Sequence, residues 1–579
     1  GVVPGVNIQR SSNKPGSGYN ILIRGLNTVS GSTKPLIVID GTPVNNSTTY
    51  SGNANGGFDL GNALSDINQE DIESVNVLKG AAASSLYGER GINGVILITT
   101  KNGKGKDDQS WGVTLSSSIT AGFVDKSTFA EYQTKYGAGY DPSFYYGSDS
   151  NGYDNVNFGE DASWGPEFDG SLVRYWDSYD PTSPTYGQAR PWKAAKNGPL
   201  SFFQTPVSYV NSISIGKGSK SGNFLLTYDN NISNGLMPNS DLKKNTITAK
   251  FNYDFTPKLH ASVYSTLTFQ NTIGRNETGY NDNIMSGFRQ WWQVNTDLLD
   301  LKDAYFRNVA VATSANNYGN VTWNRISATN GKAAYWNNQY FQTYQSYQSD
   351  NRVRTFSYAS LTYDIDKHWS IMGRVSYDNT SILYERRLAL GSYAQSFGLS
   401  GKNVTSGYDR YNINNRENNY DLIANYKYDI TDNINVSGII GGTVKREYVD
   451  NIEASTEGGL VIPGLYSLAN SKAAVLAPYE YTATRQTNSG YVSASFDFYK
   501  IFYLDGTFRR DVSSTLPNGN NKYNYGSVSG SLILSELFKL KDKGVNFWKI
   551  RGNYAEVGNT ASSYSLAYSY TSSGIFGGV

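Results

Sequence analysis

Leu259-His260-Ala261-Ser262-Val263-Tyr264-Ser265-Thr266-Leu267-Thr268-Phe269-Gln270 is the stretch on which the fold turns. In an extended chain successive side chains point to opposite sides. Leu259, Ala261, Val263, Ser265, Leu267 and Phe269 therefore share one face, and His260, Ser262, Tyr264, Thr266, Thr268 and Gln270 the other. The same grammar recurs outward from it. Ile247, Ala249, Phe251 and Tyr253 alternate with Thr248, Lys250, Asn252 and Asp254; Trp369, Ile371, Val375 and Tyr377 with Ser370, Met372, Arg374 and Ser376. Leu422, Ala424, Tyr426 and Tyr428 alternate with Asp421, Ile423, Asn425 and Lys427; Val492, Ala494, Phe496 and Phe498 with Ser493, Ser495 and Asp497; Trp548, Ile550 and Tyr554 with Lys549, Arg551 and Asn553.

A soluble sandwich also alternates, so three further details decide. The runs approach the about 9–11 residues that a tilted membrane strand needs. Aromatic residues gather near strand ends, as an interfacial girdle requires, and the polar face carries Lys, Arg and Asp, which suits a wet bore. The pattern predicts about thirteen strands, starting near Trp111, Tyr209, Asn223, Asn245, Leu259, Arg352, Trp369, Tyr420, Asn433, Tyr491, Ile501, Ser527 and Trp548. Mostly short links at 216–222, 254–258, 364–368, 429–433 and 499–501, with a longer one at 536–546, alternate with long ones at 122–207, 231–244, 270–350, 381–418, 447–485 and 512–525. That is the asymmetry of short periplasmic turns and long extracellular loops. An odd strand count cannot close an ordinary bacterial barrel, so further strands are expected outside this sequence.

Composition agrees and excludes other classes. There are 46 Tyr, 10 Trp and 24 Phe but no Cys, so disulfides, thiol nucleophiles and thiolate metal sites are excluded. The formal net charge of +1 gives no argument for nucleic acid. No apolar run is long enough for a membrane helix, yet a mean hydropathy of -0.48 is no obstacle to a barrel, where only every second residue need be apolar.

Residues 1–106 follow a different grammar, that of a mixed α/β domain. Residues 21–24, 36–39 and 95–100 read as strands, 71–78 contains another, and 81–86 favours a short helix. Residues 101–108 read as a polar, Gly-rich linker. The expected division is 1–106 and 107–579, with the natural N-terminus upstream of Gly1-Val2-Val3-Pro4-Gly5.

Particular strings now carry a resemblance. Val3-Pro4-Gly5-Val6-Asn7-Ile8, Ile23-Arg24-Gly25 and Pro35-Leu36-Ile37-Val38-Ile39-Asp40-Gly41-Thr42-Pro43 resemble the plug of TonB-dependent receptors. Asp71-Ile72-Glu73-Ser74-Val75-Asn76-Val77-Leu78-Lys79-Gly80 is similar to its most recognisable stretch, and Arg90-Gly91-Ile92-Asn93-Gly94-Val95 points to the SusC-like branch. Trp164-Gly165-Pro166, Gln290-Trp291-Trp292-Gln293 and Gly464-Leu465-Tyr466-Ser467-Leu468 look SusC-like as well. The resemblance implies an outer-membrane barrel of about 22 strands around a lumenal plug, about thirteen of them in this sequence. It further implies energy from the TonB–ExbB–ExbD complex, a SusD-like surface lipoprotein as lid, and a dimer of transporter–lid pairs. The function expected is active import of a nutrient polymer fragment, an oligosaccharide before an oligopeptide. A passive porin-like channel and a surface glycan-binding or adhesion protein are the rival readings.

Candidate residues follow. Arg24 and Arg90 are charges in apolar or glycine settings, and in the wider family such plug arginines pair with barrel carboxylates. Asp497, Asp505 and Glu556 are candidate partners, with Glu73 as the internal alternative. The plug segment 45–62, with Asn45, Asn46, Tyr50 and Asn62, is expected to face cargo, and so are Trp291, Trp292 and Tyr335 in the long loop 270–350, whose rings could stack on sugars or peptide side chains. The acidic loop 149–161 misses calcium-loop spacing and reads as a solvated turn. Gly88, Gly91 and Gly94 lack the Gly-Lys-Ser/Thr ending of a phosphate loop. His260 and His368 are the only histidines and read as residues of the wet face. No nucleophile–base set, cofactor loop or metal cluster is visible, so neither catalysis nor a cofactor is expected.

Overall fold

A computed structural model of the chain describes residues 3–10, 15–25, 33–46, 56–79, 87–103, 111–280, 283–540, 544–558 and 560–566. The N-terminal region contributes a hairpin, β1 (Val6–Arg10) and β2 (Tyr19–Ile23), and a four-stranded sheet. That sheet contains β3 (Leu36–Ile39), β4 (Thr42–Val44), β5 (Ile72–Leu78) and β6 (Val95–Thr100) in the order β4-β3-β6-β5, with β3 and β6 parallel. A one-turn helix, α1 (Ala63–Asp66), precedes β5. The helix expected at 81–86 lies outside the described residues.

Thirteen strands among the described residues form one antiparallel sheet. They are β7 (Gly112–Ala121), β8 (Val207–Ser219), β9 (Gly222–Asn234), β10 (Asp241–Thr256), β11 (Leu259–Ile273), β12 (Gln348–Asp364) and β13 (Trp369–Leu388), then β14 (Gly407–Thr431), β15 (Ile434–Ser455), β16 (Tyr479–Phe498), β17 (Phe502–Ser513), β18 (Lys522–Ile533) and β19 (Lys549–Ala555). Each pairs with its neighbours in sequence, an uninterrupted meander. Burial along these strands is inverted relative to a soluble protein. On β10, Thr246, Thr248 and Lys250 are buried while Ile247 and Phe251 are exposed. Leu422 is 64% exposed and Val375 50%, beside buried Asp421 and Arg374. Apolar side chains outside and charges inside are what hydrocarbon and a filled bore select. The thirteen strands thus form barrel wall, and the N-terminal domain packs against their inner face.

Two corrections concern the connections. Loop 235–240 is short, and 534–548 is longer than the preceding 514–521, so alternation of link length fails at the last pair. Several strands also run farther from the periplasmic end than expected. β14 begins at Gly407 rather than near Tyr420. Residues 407–419 are polar on both faces, so no period-two signal marks them, yet they pair in register with β13 and β15.

The long loops are folded. Residues 122–206 and 274–347 share one apolar core containing Phe158, Trp176, Trp192, Phe202, Phe288, Trp292, Leu298, Leu301, Trp323 and Phe341. Helices α2 (Ile284–Gln290), α3 (Leu298–Val309) and α4 (Gln339–Gln345) belong to it. α3 is capped by Asp297, whose side chain accepts from Leu299 N, and it turns Leu298, Leu301, Ala304 and Tyr305 inward at helical spacing.

Candidate functional site

The site is the interface between the N-terminal domain and the inner wall. Inward residues lie two apart along each strand, so Arg352 and Arg354 of β12 point the same way, as do Arg374, Ser376 and Asp378 of β13, and Glu417, Asn419 and Asp421 of β14. Asp66 ends α1 and meets the first pair: Arg352 Nη2 donates at 2.6 Å and Arg354 Nη1 at 2.8 Å to the same carboxylate oxygen. Arg354 also donates to Asp378 at 2.8 Å and to the carbonyl of Asn45 at 3.1 Å, while the Asn45 N–H donates to Asp378 at 2.9 Å. A plug carboxylate thus binds two wall arginines, and these five residues form one largely buried network. α1 is placed by Asn62, its N-cap, whose backbone N–H donates to the Ser65 hydroxyl at 3.2 Å and whose side-chain amide donates to the carbonyl of Tyr19 at 2.7 Å.

A second attachment is the turn following Tyr87. Arg90 donates to Glu417 at 2.7 Å and to the carbonyl of Val44 at 2.6 Å. The adjacent Glu89 carries the opposite charge and meets other strands: Arg485 of β16 donates to it, and Lys445 of β15 lies 3.9 Å away. Thr560, beyond β19, donates its backbone N–H at 3.1 Å. Burial works to raise the Glu89 carboxyl, but Lys445, Arg485 and the Thr560 hydroxyl outweigh it and hold it below the usual range. Gly88 has φ +72°, and a Cβ there would stand 2.8 Å from the Tyr525 hydroxyl, so only glycine fits this approach.

A third attachment is largely apolar. Ile21, Ile23, Ile37, Ile39, Val44, Ile96 and Ile98 of the plug cluster with Tyr264, Phe356 and Tyr358 of the wall. At its edge Asp40 accepts from Lys250 at 2.9 Å, Tyr358 at 3.2 Å and Thr100. Asp71 accepts from Thr248 at 3.1 Å. Burial and the Asp229 carboxylate of β9 push the Asp71 carboxyl up to about 6.

The residues singled out from sequence are dispersed. Arg90 meets Glu417, which is none of the partners named for it: Asp505 accepts from Ser495 and Ser529, Asp497 from Lys500 N, and Glu556 from Tyr554. Arg24 and Glu73 are exposed, with no ion pair among the described residues; Arg24 has φ +61° and shapes a turn. Asn45 belongs to the Asp66 network, and Asn46 donates weakly to Pro35 O at 3.5 Å. Asn62 is buried at the start of α1. Tyr50 lies outside the described residues. Trp292 is 5% exposed, packed edge-on against Phe288 and Trp323. Trp291 is half-buried beside Tyr280, and Tyr335 is exposed. In the 149–161 loop, Asp149 is taken by Arg174 and the N–H groups of Asn151 and Tyr153. His260 bridges Asp254 and Asp364 at the strand ends, and His368 stacks on Tyr428. Among the described residues no group of three or more His, Asp or Glu side chains is placed to hold a metal.

Sequence reading missed Asp66, Glu89, Glu417, Arg352 and Arg354. The last two sit at i and i+2 on a polar strand face, a signal that was available; Asp66 ends a one-turn helix and Glu89 lies in a turn, and only tertiary placement gives them partners.

Above the plug, residues 56–58 dock on the loop after β11. Gly57 N donates to Glu277 at 3.3 Å, and Thr278 N donates to Gly57 O at 2.8 Å. A cleft of about 40 Å³ opens here, lined by Phe58, Glu277, Tyr347, Arg386 and Arg387.

Comparison with known proteins agrees with this architecture. Residues 1–95 match the family model described as TonB-dependent Receptor Plug Domain. The chain is 42% identical over 120 residues to "TonB-dependent receptor SusC" of Bacteroides thetaiotaomicron, covering 21% of this chain and 11% of that protein. It is 22% identical over 580 residues to "TonB-dependent receptor P3" of Formosa agariphila, covering 97% of this chain and 48% of that one. In fold it is similar to the structure of the RagAB peptide transporter, with TM-score 0.65 and 16% identity over 96% of this chain and 58% of that one. The chain therefore spans about half the length of the relatives it matches end to end.

Proposed function

Because the chain is a SusC-like TonB-dependent receptor, a β-barrel of the outer membrane, we propose that it imports a nutrient polymer fragment by energy-driven displacement of its plug, with a SusD-like lipoprotein as lid and the TonB–ExbB–ExbD complex as motor. The observation that carries this is the plug held within the wall by discrete ion pairs. Asp66 with Arg352 and Arg354, Arg90 with Glu417, and Glu89 with Arg485 are attachments that can break and reform. A passive channel has no use for them. In this reading Arg90 acts in the lock, and the wider lock is centred on Asp66. The division at 1–106 and 107–579 follows from the same reading.

Cargo is captured above residues 56–58. Burial of Trp292 removes one ground for sugar stacking, and the charged cleft of Glu277, Arg386 and Arg387 supports an oligopeptide over a neutral oligosaccharide. The test is accumulation of labelled oligopeptide and oligosaccharide pools by cells making the full-length protein, with and without a protonophore. Uptake of peptides that stops on de-energising supports the reading; uptake indifferent to the protonophore gives a passive channel, and sugar-only uptake reverses the cargo.

A further inference from the structure

Three of the cavities that border the plug among the described residues differ in size and lining. Beside the turn of Glu89 and Arg90 lies a seam cavity of about 160 Å³, bounded on the wall by Thr443, Thr487 and Tyr491. On the neighbouring strands β10–β12, next to the apolar attachment, about 30 Å³ remains between Ile39, Ala63, Thr246 and Phe356. Towards the periplasmic turns a vestibule of about 470 Å³ opens, lined by Asn102, Lys220, Asn223, Asn252 and Asp254. Seam and vestibule share one wall residue, Arg374, which borders both.

Arg374 is well placed to divide them. Its side chain is buried and donates to Asp421 through Nη2 at 2.8 Å and Nε at 2.9 Å. The plug turn Asp40–Gly41 presses against it: a Cβ on Gly41, where φ is +79°, would lie 3.3 Å from Nη1. The turn is itself pinned to Lys250 of β10 and to Tyr358 of β12, the strand paired with β13. Resting on the transport reading above, we propose that cargo passes along the seam beside the Glu89–Arg90 turn, and that Arg374 is the partition separating this seam from the periplasmic vestibule. The two walls hold the plug by different means. Strands β10–β12 hold it by an apolar cluster backed by the Asp66–Arg352–Arg354 and Asp40–Lys250 ion pairs, so parting them exposes Tyr264 and Phe356 to water as well as breaking those pairs. The seam wall is held by ion pairs whose groups can exchange partners for water, and free volume already exists there. Release of the Glu89–Arg90 turn thus widens the seam while the Asp40 turn stays docked, and Arg374 is the last side chain in the way.

This sequence has no cysteine, so once any cysteine elsewhere in the full-length protein is replaced by serine, single introduced thiols report local access. The full-length protein in lipid nanodiscs is treated with sulfonatoethyl methanethiosulfonate. Thr487→Cys reports the seam and Asn252→Cys the vestibule. Thr487→Cys is expected to react slowly in the parent background and at least about tenfold faster with Arg374→Ala and Asp421→Asn together, since thiol reactivity follows access. Asn252→Cys is expected to react fast in both. A Thr487→Cys rate unchanged by the gate substitutions, or already equal to that of Asn252→Cys, overturns the partition. Should the double variant lose the heat-modifiable gel migration of a folded barrel, Arg374→Gln serves in its place with the same two outcomes. Neither cargo nor motor enters this experiment, so its failure is distinct from failure of the transport reading.

Discussion

Substituting Asp66 by Asn removes one charge from the centre of the plug–wall network and leaves the shape of the side chain. Asp66, Arg352 and Arg354 are 8%, 4% and 5% exposed at their side chains, so the small values typical of surface pairs do not apply. Arg354 retains Asp378 at 2.8 Å. Arg352 retains a long contact to Leu60 O at 3.5 Å and the attraction of the nearby Asp350 carboxylate, and it stays a buried cation beside two others, Arg354 and Arg275. Removing one partner of a buried pair costs about 3–5 kcal/mol, and the share kept by Arg354 places this case near the lower end. Plug release would then be favoured by about 150-fold or more, at about 1.4 kcal/mol per tenfold. The assay is hydrogen exchange of plug amides in the purified full-length protein, with β3 and β6 as reporters. Glu73→Gln, on the exposed side of the plug, is the reference. A companion variant, Asp66→Leu with Arg352→Met, removes both charges and should recover most of the loss, as buried pairs replaced by apolar residues often do. Plug exchange in Asp66→Asn within a factor of about five of the Glu73→Gln rate, equivalent to about 1 kcal/mol, would refute the argument that this network holds the plug.

Three other outcomes are expected. The Asp71 carboxyl, ordinarily at 3.8, is raised to about 6 when docked; the docked plug therefore binds the extra proton between those values, so docking weakens as pH rises from 4 to above 6, and Asp71→Asn should flatten the urea midpoint of plug release over that range. Trp292→Ala should cost the extracellular loop assembly about 3–5 kcal/mol, seen as faster proteolysis of 274–347 with the barrel still folded; unaltered proteolysis would show that the ring is not part of that core. Leu422→Arg, on the lipid face, should cost barrel stability about 2–4 kcal/mol near the bilayer midplane, whereas Lys427→Arg on the same strand should be neutral by refolding titration.

The wall was legible because membrane and bore impose opposite chemistry on alternate residues. The strand around Leu259 and Phe269 shows this over its full length, and each of the thirteen expected starts falls on or near an observed strand. What the pattern could not reach was sheet beyond the bilayer, as in 407–419, where both faces are polar and the alternation vanishes although pairing continues. The short plug strands β1 and β4 were missed for related reasons: β4 holds three residues, one of them Pro43, and β1 has no buried face. Site residues were less legible. Arg90 stood out as a charge among glycines, but its partner Glu417 lies 327 positions away, and nothing local distinguishes it from other inward carboxylates. The aromatic loops misled in the opposite direction. Rings such as Trp292 signal surface for stacking and interior for packing by the same composition, and only the neighbouring Phe288 and Trp323 decide between them.

The shared core of residues 122–206 and 274–347 has a kinetic corollary. Loops that are ordered before cargo arrives surrender little conformational entropy on capture. Encounter should then look like collision with a rigid vessel, with rates set by diffusion and shape rather than by slow annealing of floppy chain. Whatever movement follows must be the swing of a preassembled piece, so tightness of holding would be tuned by the hinge strands at its base and hardly at all by the tip residues.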